Sequence, residues 1–133
     1  MPTDSPPSDA TERQRILVVD DDPSMLILLP KVLVRKGFAV SVAASADAAE
    51  KILEQGPFDA VVVDLQMPGR DGFSLAAAIR QRWPELRILV VSAYDSDAMR
   101  RKAAALGVEA FLAKPVGVQE LVHHLRRSKA ANG

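Results

Sequence analysis

Five short apolar runs recur along the chain, each followed by a stretch with helical spacing. They lie at residues 16–19, 39–43, 60–64, 87–92 and 109–113, and those at 16–19, 60–64 and 87–92 are rich in β-branched residues. None alternates cleanly between apolar and polar positions. Unbroken runs of this kind suit strands buried on both faces, as in a parallel sheet. Strand followed by helix, five times over, predicts an α/β domain: one parallel sheet, helices on both faces and right-handed crossovers.

The helices read from their stop and start signals. Asp22-Pro23 is a good N-cap and N1 pair for a first helix running to about Lys36, with Gly37 as the residue after its end. Met25, Leu28, Leu29, Val32 and Leu33 fall at core-facing spacing in it. Pro30 lies inside this helix, removes one ladder bond and should kink it, at a cost of about 3 kcal/mol in an ordinary interior. The second helix spans 45–55 with Ser45 as its cap. The third spans 72–83, capped by Asp71. The fourth spans 95–106, capped by Asp95 and closed by Gly107. The last runs from Gly117 to about Arg127. Residues 1–14, with Pro2, Pro6 and Pro7, read as a disordered tail, and residues 128–133 as a short polar tail. The folded domain is therefore placed at 15–127.

Bulk properties exclude several classes. The 133 residues suffice for one domain with a core, and 17 Lys plus Arg balance 17 Asp plus Glu. That balance gives no argument for a direct nucleic-acid partner. There is no cysteine, so the fold uses neither disulfides nor thiolate chemistry, which is compatible with a cytoplasmic location. No apolar run approaches the ~20 residues of a membrane span, and the N-terminus has no apolar core segment of a secretory signal.

Every expected carboxyl strand end but the second carries polar chemistry. The first gives Asp20 and Asp21, the third Asp64, the fourth Ser92 and the fifth Lys114. Open α/β sheets bind ligands outside these ends. Capping explains any one of these residues, since Asp commonly begins turns. It does not explain three acids, a hydroxyl and a lysine at one edge. Three close carboxylates repel unless a cation joins them, and Mg2+ suits such a site. One carboxylate can then act as a nucleophile toward phosphorus, while the metal, the lysine and the hydroxyl meet the phosphoryl oxygens. No GxxxxGK[ST] is present, and Asp20-Asp21-Asp22 lacks the Gly and closing Glu of an EF-hand.

At these residues the sequence resembles the receiver domain of two-component response regulators, including the bacterial chemotaxis regulator. The motifs are LVVDDD, VVVDLQMPGRDG, VVSA and FLAKP, and the resemblance covers residues 15–127. It implies a flavodoxin-like (βα)5 fold with strand order 2-1-3-4-5. It implies Asp64 as the phosphorylated residue, and Asp21 and the backbone carbonyl of Gln66 as magnesium ligands beside Asp64. Asp20 would hold the metal through water, Ser92 would turn toward the phosphoryl group and Lys114 would pair with it. Phe111 takes the place of the switch aromatic, with a plain core aromatic as the alternative. The Gln66 side chain and Tyr94 flank the site. Lys114-Pro115 resembles the family's cis peptide. The implied partners are a histidine kinase or histidine phosphotransfer protein and a downstream protein target.

Leu26, Ile27, Pro30 and Val34 form a second apolar stripe on the first helix, expected to dock the kinase or phosphotransfer protein; scattered surface apolars are the bland alternative. His123 and His124 read as surface or partly packed residues. Arg100-Arg101-Lys102 and Arg126-Arg127 read as a solvated face, or more sharply as a homodimer surface. The module is expected to be a phosphoacceptor rather than an enzyme acting on other substrates. A haloacid-dehalogenase-type phosphohydrolase would want an acid where Gln66 stands. A phosphorylation-independent pseudo-receiver would not be expected to keep the full set of Asp20, Asp21, Asp64, Ser92 and Lys114.

Overall fold

The computed structural model describes residues 13–132. The expected tail at residues 1–14 falls largely outside them. Gln14 does not belong to it: its side chain is buried, and its carbonyl accepts the Ala39 N–H at 2.9 Å. Strands β1 (Arg15–Val19), β2 (Ala39–Ala43), β3 (Ala60–Asp64), β4 (Arg87–Ser92) and β5 (Ala110–Ala113) form one parallel sheet in the order β2-β1-β3-β4-β5. From β1 the chain first steps outward to β2, then returns past β1 to β3. The order reverses there, so the crevice at this edge opens between the ends of β1 and β3.

Alternate side chains of each strand enter opposite core layers. Leu17, Val19, Val61, Val63, Ile88 and Val90 pack with residues of α2 (Ala46–Glu54), α3 (Gly72–Arg82) and α4 (Asp97–Ala105). Ile16, Val18, Val62, Leu89 and Val91 pack with α1 (Leu29–Arg35) and α5 (Val118–Asn132). Burial on both faces explains why β1, β3 and β4 carry no polar alternation. Among the described residues no helix is long and apolar enough to cross a membrane.

Local chemistry sets the helix ends. Ser45 accepts the Ala48 N–H at 3.1 Å and Asp71 the Ser74 N–H at 2.9 Å, as the sequence predicts. Gly37, at φ +99°, closes α1: its N–H bonds to the Val34 carbonyl, and that of Phe38 to the Leu33 carbonyl. The fourth helix begins later than expected. Ser96, not Asp95, accepts the Met99 N–H and caps α4, and Asp95 is instead paired with Arg100. The last helix continues to Asn132, through residues expected to form a polar tail. Its end carries Lys and Ala and meets no Pro or Gly before Gly133, so nothing local stops it.

The first helix departs most from expectation. Asp22 does cap it, accepting the Ser24 N–H at 3.0 Å. But Ser24–Leu28 forms a π-helical turn, in which the Leu29 N–H bonds to the Ser24 carbonyl five residues back. A proline ring clashes with the carbonyl four residues before it. Widening the turn ahead of Pro30 relieves that clash and starts a new α-helical segment, where Pro30 is the second residue and owes no ladder bond. The extra residue also turns the helix face. Leu28, expected in the core, is 59% exposed, whereas Leu29 and Leu33 remain buried.

Candidate functional site

Asp64 is the last residue of β3, and Asp20 and Asp21 follow the last residue of β1. Adjacent register, Val19 beside Val63, brings the three carboxylates to one place. One carboxylate oxygen from each lies within 4.8 Å of the others. Asp20 and Asp64 are buried and Asp21 is exposed. Lys114, just past β5, reaches in from the far side. Its Nζ lies 3.0 Å from Asp20 Oδ2 and 3.3 Å from Asp64 Oδ2. Its own backbone N–H anchors it, donating to the Ser92 carbonyl at 2.8 Å. The Lys114-Pro115 peptide is cis.

The loop after β3 is built to let Asp64 sit this deep. The Gln66 N–H donates to Asp64 Oδ1 at 3.0 Å, folding the chain back over the carboxylate. Gly72 then brings α3 against the strand end. A Cβ there would collide with the Asp64 carbonyl oxygen and lie 2.7 Å from Leu65 Cα, so only glycine fits.

Three acids face one ammonium. Burial pushes the Asp64 carboxyl up to about 6, and the Asp20 carboxylate adds to this against the Gln66 N–H and Lys114. Burial alone would make Lys114 easier to deprotonate, but Asp20 and then Asp64 outweigh it and raise its pKa. Asp20 Oδ2 is enclosed and finds no hydrogen-bond partner among the described residues, only the ion pair with Lys114. A buried carboxylate oxygen held only by an ammonium, beside two further carboxylates, belongs to a donor set that a hard divalent cation takes, and Mg2+ fits it.

A family model of the response regulator receiver domain matches residues 16–126. The chain belongs to the response regulator receiver family. Among curated relatives, the transcriptional regulatory protein TcrA of Mycobacterium tuberculosis is 35% identical over 112 residues, covering 84% of this chain and 44% of TcrA. The receiver thus spans less than half the length of that relative. Among solved structures, a CheY-like receiver domain protein from Methanospirillum hungatei superposes with a TM-score of 0.84 at 26% identity, covering 88% of this chain and 94% of that one. The response regulator TrrA of Thermotoga maritima, solved in complex with Mg2+ and BeF, gives 0.76 at 29% identity, covering 86% and 97%. The fold is therefore the CheY-like, flavodoxin-like one, and the protein is a two-component signalling domain.

The receiver brings Asp20, Asp21, Asp64 and Lys114 together as the sequence suggests. It does not bring the Ser92 hydroxyl onto Asp64. That hydroxyl is fully buried and is held by Gln66 and Tyr94 instead. Phe111 is half-buried, with the Arg100 guanidinium 4.7 Å from its ring centroid. Arg100 is gripped in turn by both carboxylate oxygens of Asp95, at 2.6 and 2.9 Å. The sequence puts Arg100 on a solvated face and Asp95 at a helix cap, and nothing in its spacing signals this stack. Lys102 likewise lies over Phe73. His123 is exposed and His124 half-buried, as expected, with their rings in edge contact. Of the outer stripe, Ile27 and Val34 are exposed, Leu26 and Pro30 are partly covered, and Leu28 joins them at the surface.

Proposed function

We propose that this receiver takes a phosphoryl group from a phosphohistidine onto Asp64 and relays it, or the change it causes, to a protein partner. A carboxylate oxygen of Asp64 forms the new O–P bond as the N–P bond of the donor breaks, and the imidazole leaves with that electron pair. The observation that carries this reading is Asp64 itself: a buried carboxylate at a strand end, held between two further acids and the Lys114 ammonium. Asp21, Asp64 and the backbone carbonyl of Gln66 would hold magnesium, with Asp20 reaching it through water. Bound there, the ion would neutralise phosphoryl oxygens and the crowded carboxylates. Lys114 meets a further phosphoryl oxygen, and Ser92 donates to another once its hydroxyl is released. Phe111 moves inward into the space Ser92 vacates and changes the surface of α4, β5 and α5. The acyl phosphate is finally lost to water within the same site.

The donor is a histidine kinase or a histidine phosphotransfer protein in the cytoplasm. The apolar stripe of Leu26, Ile27, Pro30 and Val34, on the helix that starts beside the acid cluster, supports docking there. Intact mass after incubation with acetyl phosphate tests the reading. Wild type gains one phosphoryl group only with magnesium, and Asp64→Asn gains none. No gain by folded wild type under any condition would leave a phosphorylation-independent binding module.

A further inference from the structure

We propose that the Gln66 carboxamide is a latch that holds the Ser92 hydroxyl away from Asp64 in the unphosphorylated receiver. This rests on Asp64 being the phosphoryl acceptor. Gln66 Oε1 lies 3.0 Å from Ser92 Oγ and 3.1 Å from the Ala93 backbone nitrogen. A backbone N–H can only donate, so the Ala93 contact fixes which end of the amide faces Ser92: the oxygen. The Ser92 hydroxyl must therefore be the donor in its contact with Gln66. It also lies 2.6 Å from the Tyr94 carbonyl and accepts the Tyr94 N–H at 3.0 Å. A hydroxyl has one proton, and both acceptors compete for it. A phosphoryl oxygen on Asp64 must win that proton from both.

Gln66 is placed to sense the outcome. Its backbone N–H is bonded to Asp64 Oδ1, and its side chain is bonded to the loop after β4. One residue thus spans the acceptor carboxylate and the hydroxyl expected to move toward it. Gln66 acts as a positioning residue. Its side chain sets how readily Ser92 leaves its resting place, whereas the backbone carbonyl proposed to hold magnesium belongs to the main chain and survives substitution. The Tyr94 contacts are main-chain contacts, so Gln66 is the part of the restraint that sequence can tune.

The test uses the whole chain with Gln66→Ala and Gln66→Met; methionine keeps length and bulk but lacks the acceptor. Beryllofluoride with magnesium serves as the phosphoryl mimic, because its binding is an equilibrium free of the water attack that ends an acyl phosphate. Both variants should bind it about three- to tenfold more tightly, the change that one hydrogen bond supplies. In a Ser92→Ala background neither should alter affinity. Without metal or mimic, both should shift the Ala93 amide resonance and speed its hydrogen exchange. Equal affinity in wild type and both variants overturns the latch alone. A gain with Ala but not Met overturns it in favour of a steric effect, and a gain that persists without the Ser92 hydroxyl also overturns it. No beryllofluoride binding by any of the proteins overturns the acceptor reading and the latch with it.

Discussion

The guanidinium of Arg100 lies over the Phe111 ring, and Asp95 fastens it there from the start of the same loop-helix segment. Cation–π contacts and ion pairs this exposed to solvent contribute little to stability. The clamp is too weak to set the stability of the fold. It is strong enough to bias a side chain between two rotamers. Arg100→Ala should leave the urea unfolding midpoint close to that of wild type. It should also raise the inward population of the Phe111 ring, read by fluorine NMR of fluorophenylalanine-labelled protein. Molar salt should reproduce part of the shift in wild type, because the Asp95 pair is exposed.

Burial of the Asp64 carboxyl, with the Asp20 carboxylate beside it, makes the metal-free receiver pH-sensitive. The folded Asp64 binds its proton more tightly than the unfolded chain does, with a pKa of about 6 against an ordinary 3.8. The folded state therefore holds more protons between those values, and stability falls as pH rises from about 4 to about 6. Asp64→Asn removes the charge that causes this. It should raise the Tm of metal-free protein at pH 7–8, by roughly 1–3 kcal/mol in stability, and lose that advantage near pH 4. Equal Tm gains at both pH values would rule out the Asp64 charge as the cause.

Magnesium held by Asp64, as proposed, would have to displace the same proton. Its affinity should climb as pH rises through about 6 and flatten above, once Asp64 is ionised. Calorimetric titration at pH 5, 6, 7 and 8 reads this, with proton release visible below the plateau only. Asp21→Ala should weaken the ion throughout the range.

Gly72→Ala sets two effects against each other. Alanine gains up to about 1 kcal/mol of helix propensity, and less at a first helical position. The new methyl would strike the Asp64 carbonyl oxygen and Leu65, which are backbone and cannot swing aside. Overpacking of this kind costs about 1–3 kcal/mol, so the variant should be destabilised in urea. It should also lose magnesium affinity, since the atoms displaced are those that carry Asp64.

Pro30→Ala tests the π-helical turn. A proline in a helix interior would give back about 3 kcal/mol on replacement. Pro30 stands at the second position of its α-helical segment, so the gain should stay below about 1 kcal/mol. Backbone chemical shifts over Ser24–Leu28 report whether the turn closes to α-helix. Closure should return Leu28 toward the core.

These contrasts show where sequence was enough. The strands were legible because Val61, Val62 and Val63 are buried on both faces, and such burial leaves a continuous apolar run. Ser45 and Asp71 were legible as caps because the bond is local. Asp95 and Ser96 are both competent caps one residue apart, and only the Arg100 pair decides between them. Pro30 announced a disturbance, but where the helix absorbs it depends on which residues the sheet must cover. The acid cluster and Lys114 were legible because strand ends converge by topology. The grip of Gln66 on Ser92 was not, since it depends on how two loops, 26 residues apart in sequence, face each other.

The register of β3 has a further meaning. Val61 and Val63 point to one core layer, Val62 to the other, and Asp64 is the next step of the same alternation. Inserting or deleting one residue in this strand would turn every following side chain through half a revolution. Valines would exchange layers, and the carboxylate would leave its acid neighbours. The strand is a ruler for the reaction as well as a wall of the core. A lineage of such proteins can trade methyl groups along β3, but it cannot change the strand's length without surrendering its chemistry.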